Sequence, residues 1–362
     1  MARKALVVLD ERWNSALTDL GLKIARSLNC RVTVAALKGY PAFSRAAELG
    51  LETLPIEDPR RGLPLKAFLS FKKAVEAVKP QVVVTIRGDE MLFAALLKKR
   101  HGYKLFRVHG HAKGIRNTLL NRFIHKRFVN GVVVSSRRLL NDVVAPLEKL
   151  LIPGIVDTSL FSFSQEARHR WRRRLGVPAE LPLIGVVARF DPVKGHDLLF
   201  KALHAVKNQR WKLVVVGREE GVSLRQLKEL AASLGILERI AFFTDRVADL
   251  PGLLSACDIG VVPSKGSEVV LRAPLEFMAC RTCLVATAVG ALPEVIAPPW
   301  GRLVKPSADG IALGLSSLLK LGAERLLELG KAAQEVAREK YSFEALSPRI
   351  DRFICSGVRN GQ

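Results

Sequence analysis

Two acidic residues, Glu268 and Glu276, stand eight positions apart in Ser267-Glu-Val-Val-Leu-Arg-Ala-Pro-Leu-Glu276, and about eighty residues upstream lies Ala188-Arg-Phe-Asp-Pro-Val-Lys-Gly195. A carboxylate accepts hydrogen bonds from two vicinal hydroxyls at once, whereas a guanidinium and an ammonium hold an anion. The first glutamate is expected at the end of a loop and the second about two turns into the helix that the loop opens, so the pair reaches different ends of one elongated ligand. Between them, the unpaired N–H groups and aligned peptide dipoles of a helix start favour a phosphate. Arg189 and Lys194 add full positive charges to the same anion. One anion flanked by two hydroxyl-binding carboxylates suits a sugar nucleotide.

Either motif alone is weak, because paired glutamates are common on solvated helix faces. Their order is more specific: strand, Arg-x4-Lys-Gly, helix, strand ending in Gly217, strand, Glu-x7-Glu, helix, then Gly290-Ala-Leu-Pro-Glu294 before Gly301-Arg-Leu-Val304. In this order the chain resembles the retaining glycosyltransferases of family four. The resemblance implies an α/β protein of GT-B fold, two Rossmann-like, doubly wound parallel-sheet domains facing a cleft. It implies a nucleoside-diphosphate sugar as donor and no cofactor. It assigns Glu268 to hydroxyls of the donor sugar and Glu276 to the ribose, with His109 lining the sugar. It also implies retention of configuration, the leaving phosphate itself taking the acceptor proton.

The residues add their own constraints. Breaking a glycosyl phosphate bond leaves negative charge on the diphosphate, which fixed cations must meet. Arg189, directly after an apolar strand, and Lys194 fit that need, and the chain has no Asp-x-Asp sequence to suggest a divalent metal. The catalytic candidates are therefore Arg189, Lys194, Glu268 and His109, with no metal ligand. Val269, Val270 and Leu271 can present N–H groups to phosphate, although relatives often carry Gly-aromatic-Gly there, which leaves more room. Gly217 and Arg218, and Arg246 and Val247, end successive strands and are candidates for the base. Arg218 reads equally as a stacking group or a loop cation, and His109 equally as a site or structural residue. For the acceptor the candidates are Trp13 and Asn14 after the first strand and Arg87 after Gln81–Ile86. All lie at carboxyl ends of strands, where open α/β sheets bind ligands. The double-glycine loop common after strand one in relatives is missing.

These residues need a scaffold, and alternating apolar runs and helical patterns supply one. Strands are expected at Ala5–Leu9, Arg31–Ala35, Gln81–Ile86, Lys104–Val108 and Gly131–Ser135, with helices Ser15–Leu28, Pro64–Val78 and Asn117–Phe128. A second series follows at Leu183–Ala188, Trp211–Val216, Arg239–Phe243, Ile259–Val262 and Cys283–Ala286. The strands are apolar throughout, as in a parallel sheet covered on both faces. The expected domains are residues 1–155 for the acceptor and 181–340 for the nucleotide sugar. Residues 156–180 are expected to connect them, and 341–362 to form a last helix that, by the resemblance, packs on the N-terminal domain. The run Arg168-His-Arg-Trp-Arg-Arg-Arg174 is expected to scatter around its helix in a solvated or interdomain role.

At 362 residues and 49% hydrophobic, the chain can fill two cores. No apolar run is long enough for a membrane-spanning helix. Five cysteines without a framework pattern fit a reducing compartment, and Cys280-Arg-Thr-Cys283 reads as core packing rather than a zinc half-site. The net charge is +23, and between Glu90 and Asp142 there are twelve Lys and Arg and no acid. Leu119-Leu-Asn-Arg-Phe-Ile-His-Lys-Arg-Phe128 is amphipathic and basic, suited to an anionic membrane surface. A glycan or lipid-linked acceptor and a cytoplasmic location, peripheral on the cytosolic membrane face, are expected. The alternatives are a GT-B sugar-nucleotide epimerase sharing the donor site, and nucleic-acid binding. No specific nucleic acid is expected, because no recognition motif accompanies the charge.

Overall fold

In the computed structural model the described residues are 3–13, 15–60, 64–111, 114–115, 117–143 and 146–355. They divide into two compact units: one runs up to Ile155 and takes in the last helix, and the other is Val156–Ser342. The first unit holds a seven-stranded sheet of β1 (Lys4–Leu9), β2 (Arg31–Leu37), β3 (Glu52–Ile56), β4 (Val82–Thr85), β5 (Lys104–His109), β6 (Val129–Val134) and β7 (Glu148–Leu151), in the order β3-β2-β1-β4-β5-β6-β7. The second holds six strands, β8 (Leu183–Val187), β9 (Lys212–Val216), β10 (Ile240–Phe243), β11 (Ile259–Val262), β12 (Cys283–Thr287) and β13 (Gly301–Val304), in the order β10-β9-β8-β11-β12-β13. The strand pairings are parallel.

A parallel sheet with helices on both faces must be apolar on both sides of each strand. β1, Lys-Ala-Leu-Val-Val-Leu, meets this: every residue after Lys4 is buried. In the second unit Phe277, Met278 and Leu275 fill one face of the sheet while Leu199, Phe200 and Leu203 fill the other. β3 and β7 lie at the edges, where half-exposed, charge-bearing sequences such as Glu-Lys-Leu-Leu give little strand signal. The last helix, Phe343–Cys355, lies along the helix Ala16–Ser27. Ser27 Oγ and Ser347 Oγ are 3.1 Å apart, and the Arg26 guanidinium sits 4.7 Å from the Phe343 ring centre.

The stretch 156–180, expected to connect the domains, belongs to the second unit. The helix Gln165–Leu175 is capped by Ser164 and ended by Gly176 in a left-handed conformation. Four-residue spacing puts Arg168 and Arg172 on one buried face instead of scattering the charge. Arg168 Nη2 donates to Asp258 Oδ1 at 2.5 Å and Arg172 Nη1 to Asp258 Oδ2 at 2.9 Å, while Leu183 N reaches the same Oδ2 at 2.7 Å. Most of their other donors go to the carbonyls of Ser255, Ala256, Pro178 and Leu181, while the buried Arg172 Nε has no partner. One carboxylate thus ties this helix to the starts of β8 and β11. Asp258→Asn keeps the shape but leaves two buried guanidiniums without their counter-charge. It is expected to cost about 3–5 kcal/mol, read as a lower urea midpoint with unchanged slope. An unchanged midpoint would mean that the carbonyls alone satisfy the pair.

Candidate functional site

In the second unit, strand order reverses between β8 and β11, and ligands of open α/β sheets bind beyond the carboxyl ends at such a point. After β8, Asp191 caps the short turn Pro192–Lys194 by accepting from Val193 N at 2.9 Å. Gly195 then adopts φ +72°, and a Cβ there would overlap the Pro263 carbonyl oxygen. Only glycine allows this close approach of the two loops, which Lys265 N seals by donating to Val193 O at 2.8 Å. The result brings Lys194 Nζ to 2.5 Å from Glu268 Oε1, an oxygen that also accepts from Ser264 Oγ at 2.5 Å. Both charged side chains are largely withdrawn from water, at 16% and 9% exposure.

Two neighbouring segments hold Glu268 in place. From β12, Thr287 Oγ1 donates to Ser264 O at 2.6 Å. From the other side Ala291 N donates to Glu268 O at 2.7 Å, and Gly290 at φ +59° lies so close that a Cβ would overlap the same carbonyl. Gly290 and Ala291, at the start of the Gly-x-x-Glu element, therefore support Glu268 from behind. Sequence reasoning missed Ser264 and Thr287. Their one signal is position, each at or just past the carboxyl end of a central strand.

Two expectations need correction. Glu276 is in the first turn of the helix Ala273–Ala279, not two turns in, because Pro274 fixes the helix start there and leaves 268–272 as loop. It is buried, with Arg272 Nε 3.5 Å from its Oε1. Arg189 is not an open cation: its guanidinium pairs with Glu220 and lies 3.7 Å from Asp191 Oδ2. Leu271 turns its side chain into the core, so only its backbone is available to a ligand. Among the described residues, the N–H groups of Val269, Val270 and Leu271 donate to no protein acceptor.

Around the expected base position, Gly217 N donates to Phe243 O at 3.0 Å, linking the ends of β9 and β10. Arg218 is exposed and donates to Glu220 Oε2 at 3.2 Å, so Glu220 engages both arginines. Arg246 is exposed, and Val247 packs partly on the core. His196, beside Gly195, is buried edge-on against Phe190 with ring centres 5.3 Å apart, and burial lowers its pKa to about 4. It is a neutral core residue.

The first unit has its own reversal, between β1 and β4. Asp10, Glu11 and Glu90 are buried beside Arg87, which approaches Asp10 Oδ1 at 3.6 Å and Glu11 Oε1 at 3.8 Å. Arg60 donates to Asp10 O at 2.5 Å. Burial, with Asp10 adjacent, pushes Glu90 well above the usual carboxyl range. Burial also raises Asp10, against the pull of Arg60 and Arg87. Arg87 is thus held by carboxylates on one side. Trp13 is exposed at the surface, and Asn14 lies outside the described residues. His109 ends β5 fully buried, and burial together with Arg107 takes its pKa down to about 3. It lines a pocket with Arg87 and Arg107. Arg107 was missed, although a charge inside the apolar strand Lys-Leu-Phe-Arg-Val-His was a visible signal. Among the described residues no three His, Cys, Asp or Glu side chains are grouped to hold a metal, and Cys280 and Cys283 are buried thiols pushed up to about 12.

Comparison with known proteins gives these features a context. Residues 167–336 match the family model described as Glycosyl transferases group 1. A D-inositol 3-phosphate glycosyltransferase of Salinispora tropica is 35% identical over 178 residues, which are 46% of this chain and 37% of the relative. The chain thus spans well under two thirds of that relative's length. HepE of Anabaena, solved with UDP, superposes with a TM-score of 0.85 over 98% of this chain and 100% of its own, at 18% identity. WaaG, a glycosyltransferase involved in lipopolysaccharide biosynthesis, gives 0.67 over 98% and 100%, at 17% identity. The two parallel-sheet units are those of the GT-B fold.

Proposed function

We propose that the chain is a glycosyltransferase that moves a sugar from a nucleoside-diphosphate sugar, held by the second unit, to a hydroxyl of a glycan or lipid-linked acceptor. The observation that carries this reading is the buried Lys194–Glu268 contact at the β8–β11 reversal, beside the unengaged N–H groups of Val269 to Leu271. Support for the donor comes from HepE, which is solved with UDP and also with UDP-glucose.

The chemistry follows from the contacts. Glu268 Oε1 is occupied by Lys194 and Ser264, which leaves Oε2 to accept from a sugar hydroxyl. As the glycosyl bond breaks, the leaving diphosphate gains charge that Lys194 and the three N–H groups meet without reorganising. Arg189 joins once the diphosphate displaces Glu220, and Glu276 accepts from the ribose hydroxyls. In this reading no side-chain nucleophile or metal is required. The leaving phosphate takes the acceptor proton on the face from which it departs, and configuration is retained.

Membrane docking is the second part of the proposal. On the helix Leu119–Phe128 the apolar residues Leu119, Leu120 and Phe123 are 85%, 61% and 60% exposed, interleaved with the exposed cations Arg122, Lys126 and Arg127. Ile124 and His125 hold the opposite face to the domain. Not all twelve cations serve this surface: Lys98 Nζ donates to Phe128 O at 2.5 Å and to Asn130 Oδ1 at 2.7 Å, and Arg107 is buried. Among the described residues no helix is long and apolar enough to cross a membrane. A peripheral site on an anionic, cytosolic membrane face fits these observations, with lipopolysaccharide or another cell-surface glycan as the acceptor, and no specific nucleic acid as partner.

Three outcomes test this reading. Glu268→Gln and Lys194→Ala should each lower transfer by about 3 kcal/mol, roughly a hundredfold, with unchanged circular dichroism. Normal turnover of both variants with the true donor would remove the central claim. Activity should survive EDTA; an enzyme silenced by the chelator and revived by magnesium or manganese contradicts the metal-free mechanism. The protein should also co-sediment with vesicles containing phosphatidylglycerol but not with neutral ones, and release as salt rises, at about 1 kcal/mol per engaged cation. Replacing Arg122, Lys126 and Arg127 by Ser should reduce the bound fraction, and equal binding to neutral vesicles defeats the docking claim.

A further inference from the structure

A pocket of about 490 Å³ in the first unit lies past the carboxyl ends of β4 and β5, lined by Arg87, Asp89, Arg107, His109, His111 and Asn121 among others. Its floor contains an electrostatic imbalance. Arg107, on β5, is 8% exposed, and among the described residues no carboxylate comes within 4 Å of it. Its Nη1 reaches His125 Nε2 at 3.0 Å and Met91 Sδ at 3.6 Å, while its buried Nε has no hydrogen-bond partner. His125 Nδ1 lies 2.7 Å from Asn121 O, so Nδ1 carries the proton and Nε2 accepts from the guanidinium. That contact satisfies one donor without neutralising the charge.

Beside Arg107, His109 is 1% exposed and neither ring nitrogen has a partner. A neutral imidazole has one N–H to give. The first turn of the helix Gly88–His101, through Gly88 and Asp89, lines the same pocket and points its positive dipole end there. Asp89 is the acidic residue of the lining and is exposed, so water screens it. A buried guanidinium whose carboxylate influence, that of Glu90, comes only from beyond contact distance is costly, as is a buried polar ring with nothing to bond. Both are relieved by one multidentate anion in the pocket. A tetrahedral oxyanion matches donors converging from a guanidinium, an imidazole and a helix start.

We propose that this pocket binds a phosphate group carried by the acceptor, with Arg107 as its counter-ion. Assigning the phosphate to the acceptor rests on the glycosyltransferase reading; the anion site does not. The phosphate could belong to a soluble polyol or sugar phosphate, or to a lipid headgroup.

Isothermal titration calorimetry on the full chain distinguishes these cases, with glycerol 3-phosphate, short-chain phosphatidic acid, uncharged glycerol and UDP as probes. Glycerol should not bind. At least one phosphate probe should bind wild type, and Arg107→Met should weaken it about 10- to 100-fold, the loss of a charged hydrogen-bonding partner. Lys194→Ala should leave that binding intact while weakening UDP. Binding of phosphatidic acid without glycerol 3-phosphate would assign the phosphate to lipid, and the reverse to a soluble acceptor. Ligand-free Arg107→Met should melt no lower than wild type, since a buried charge without a contacting carboxylate is removed. If this variant fails to fold, His111→Glu at the half-exposed rim carries the test and should show the same loss of affinity. The proposal is overturned if neither phosphate probe binds, if Arg107→Met and His111→Glu retain full affinity, or if Lys194→Ala rather than Arg107→Met abolishes phosphate binding. Absence of UDP binding with phosphate binding intact would instead sink the donor reading and leave this pocket standing.

Discussion

A parallel sheet that grows outward in both directions from its first strand leaves two adjacent strands whose connections depart to opposite sides. The space past their carboxyl ends is then open, and no chain crosses it. In the second unit those strands are β8 and β11. The polar contacts of the candidate donor site follow from this arrangement: Lys194 arrives from one strand, Ser264 and Glu268 from the other, and the two loops can meet because Gly195 admits the Pro263 carbonyl. A side chain at Gly195 would force apart the loops that carry the ammonium and the carboxylate.

The same geometry separates fixed from exchangeable charge. Glu268 is held by Lys194, by Ser264, and through its backbone by Ala291. It is nearly buried, so its position costs little entropy on binding. Arg189 is half in solvent and shared by Glu220 and Asp191, which a ligand phosphate could replace. A carboxylate that occupies a guanidinium in the empty site lowers affinity for the diphosphate. It also prevents the cations from repelling one another when no ligand is present.

Much of this was legible in the sequence, for physical reasons. Strands buried on both faces are continuous apolar runs, so the central strands of both sheets stand out, whereas the edge strands Glu52–Ile56 and Glu148–Leu151 do not. The Arg-x4-Lys-Gly and Glu-x7-Glu spacings located Lys194 and Glu268, which the fold brings into contact. They did not reveal that Pro274 delays the helix and places Glu276 in its first turn, or that Arg189 meets Glu220 thirty-one residues away. Such pairings depend on which strands become neighbours. The arginine run at 168–174 misled for a related reason. Charge normally marks a solvated face, but the spacing of Arg168 and Arg172 allowed both to converge on Asp258, ninety and eighty-six residues on.

Those two arginines also give a standard for judging Arg107. Arg168 and Arg172 are buried with a carboxylate between them and carbonyls on most remaining donors. The fold can therefore place a carboxylate against an interior guanidinium when stability alone is at stake. Arg107 is as deeply buried, yet its polar partners are a neutral histidine and a thioether, and beside it lies an open pocket. An apolar residue of similar volume would suit that strand at lower electrostatic cost. The contrast within one chain argues that the charge at Arg107 is kept for what enters the pocket rather than for the sheet that carries it.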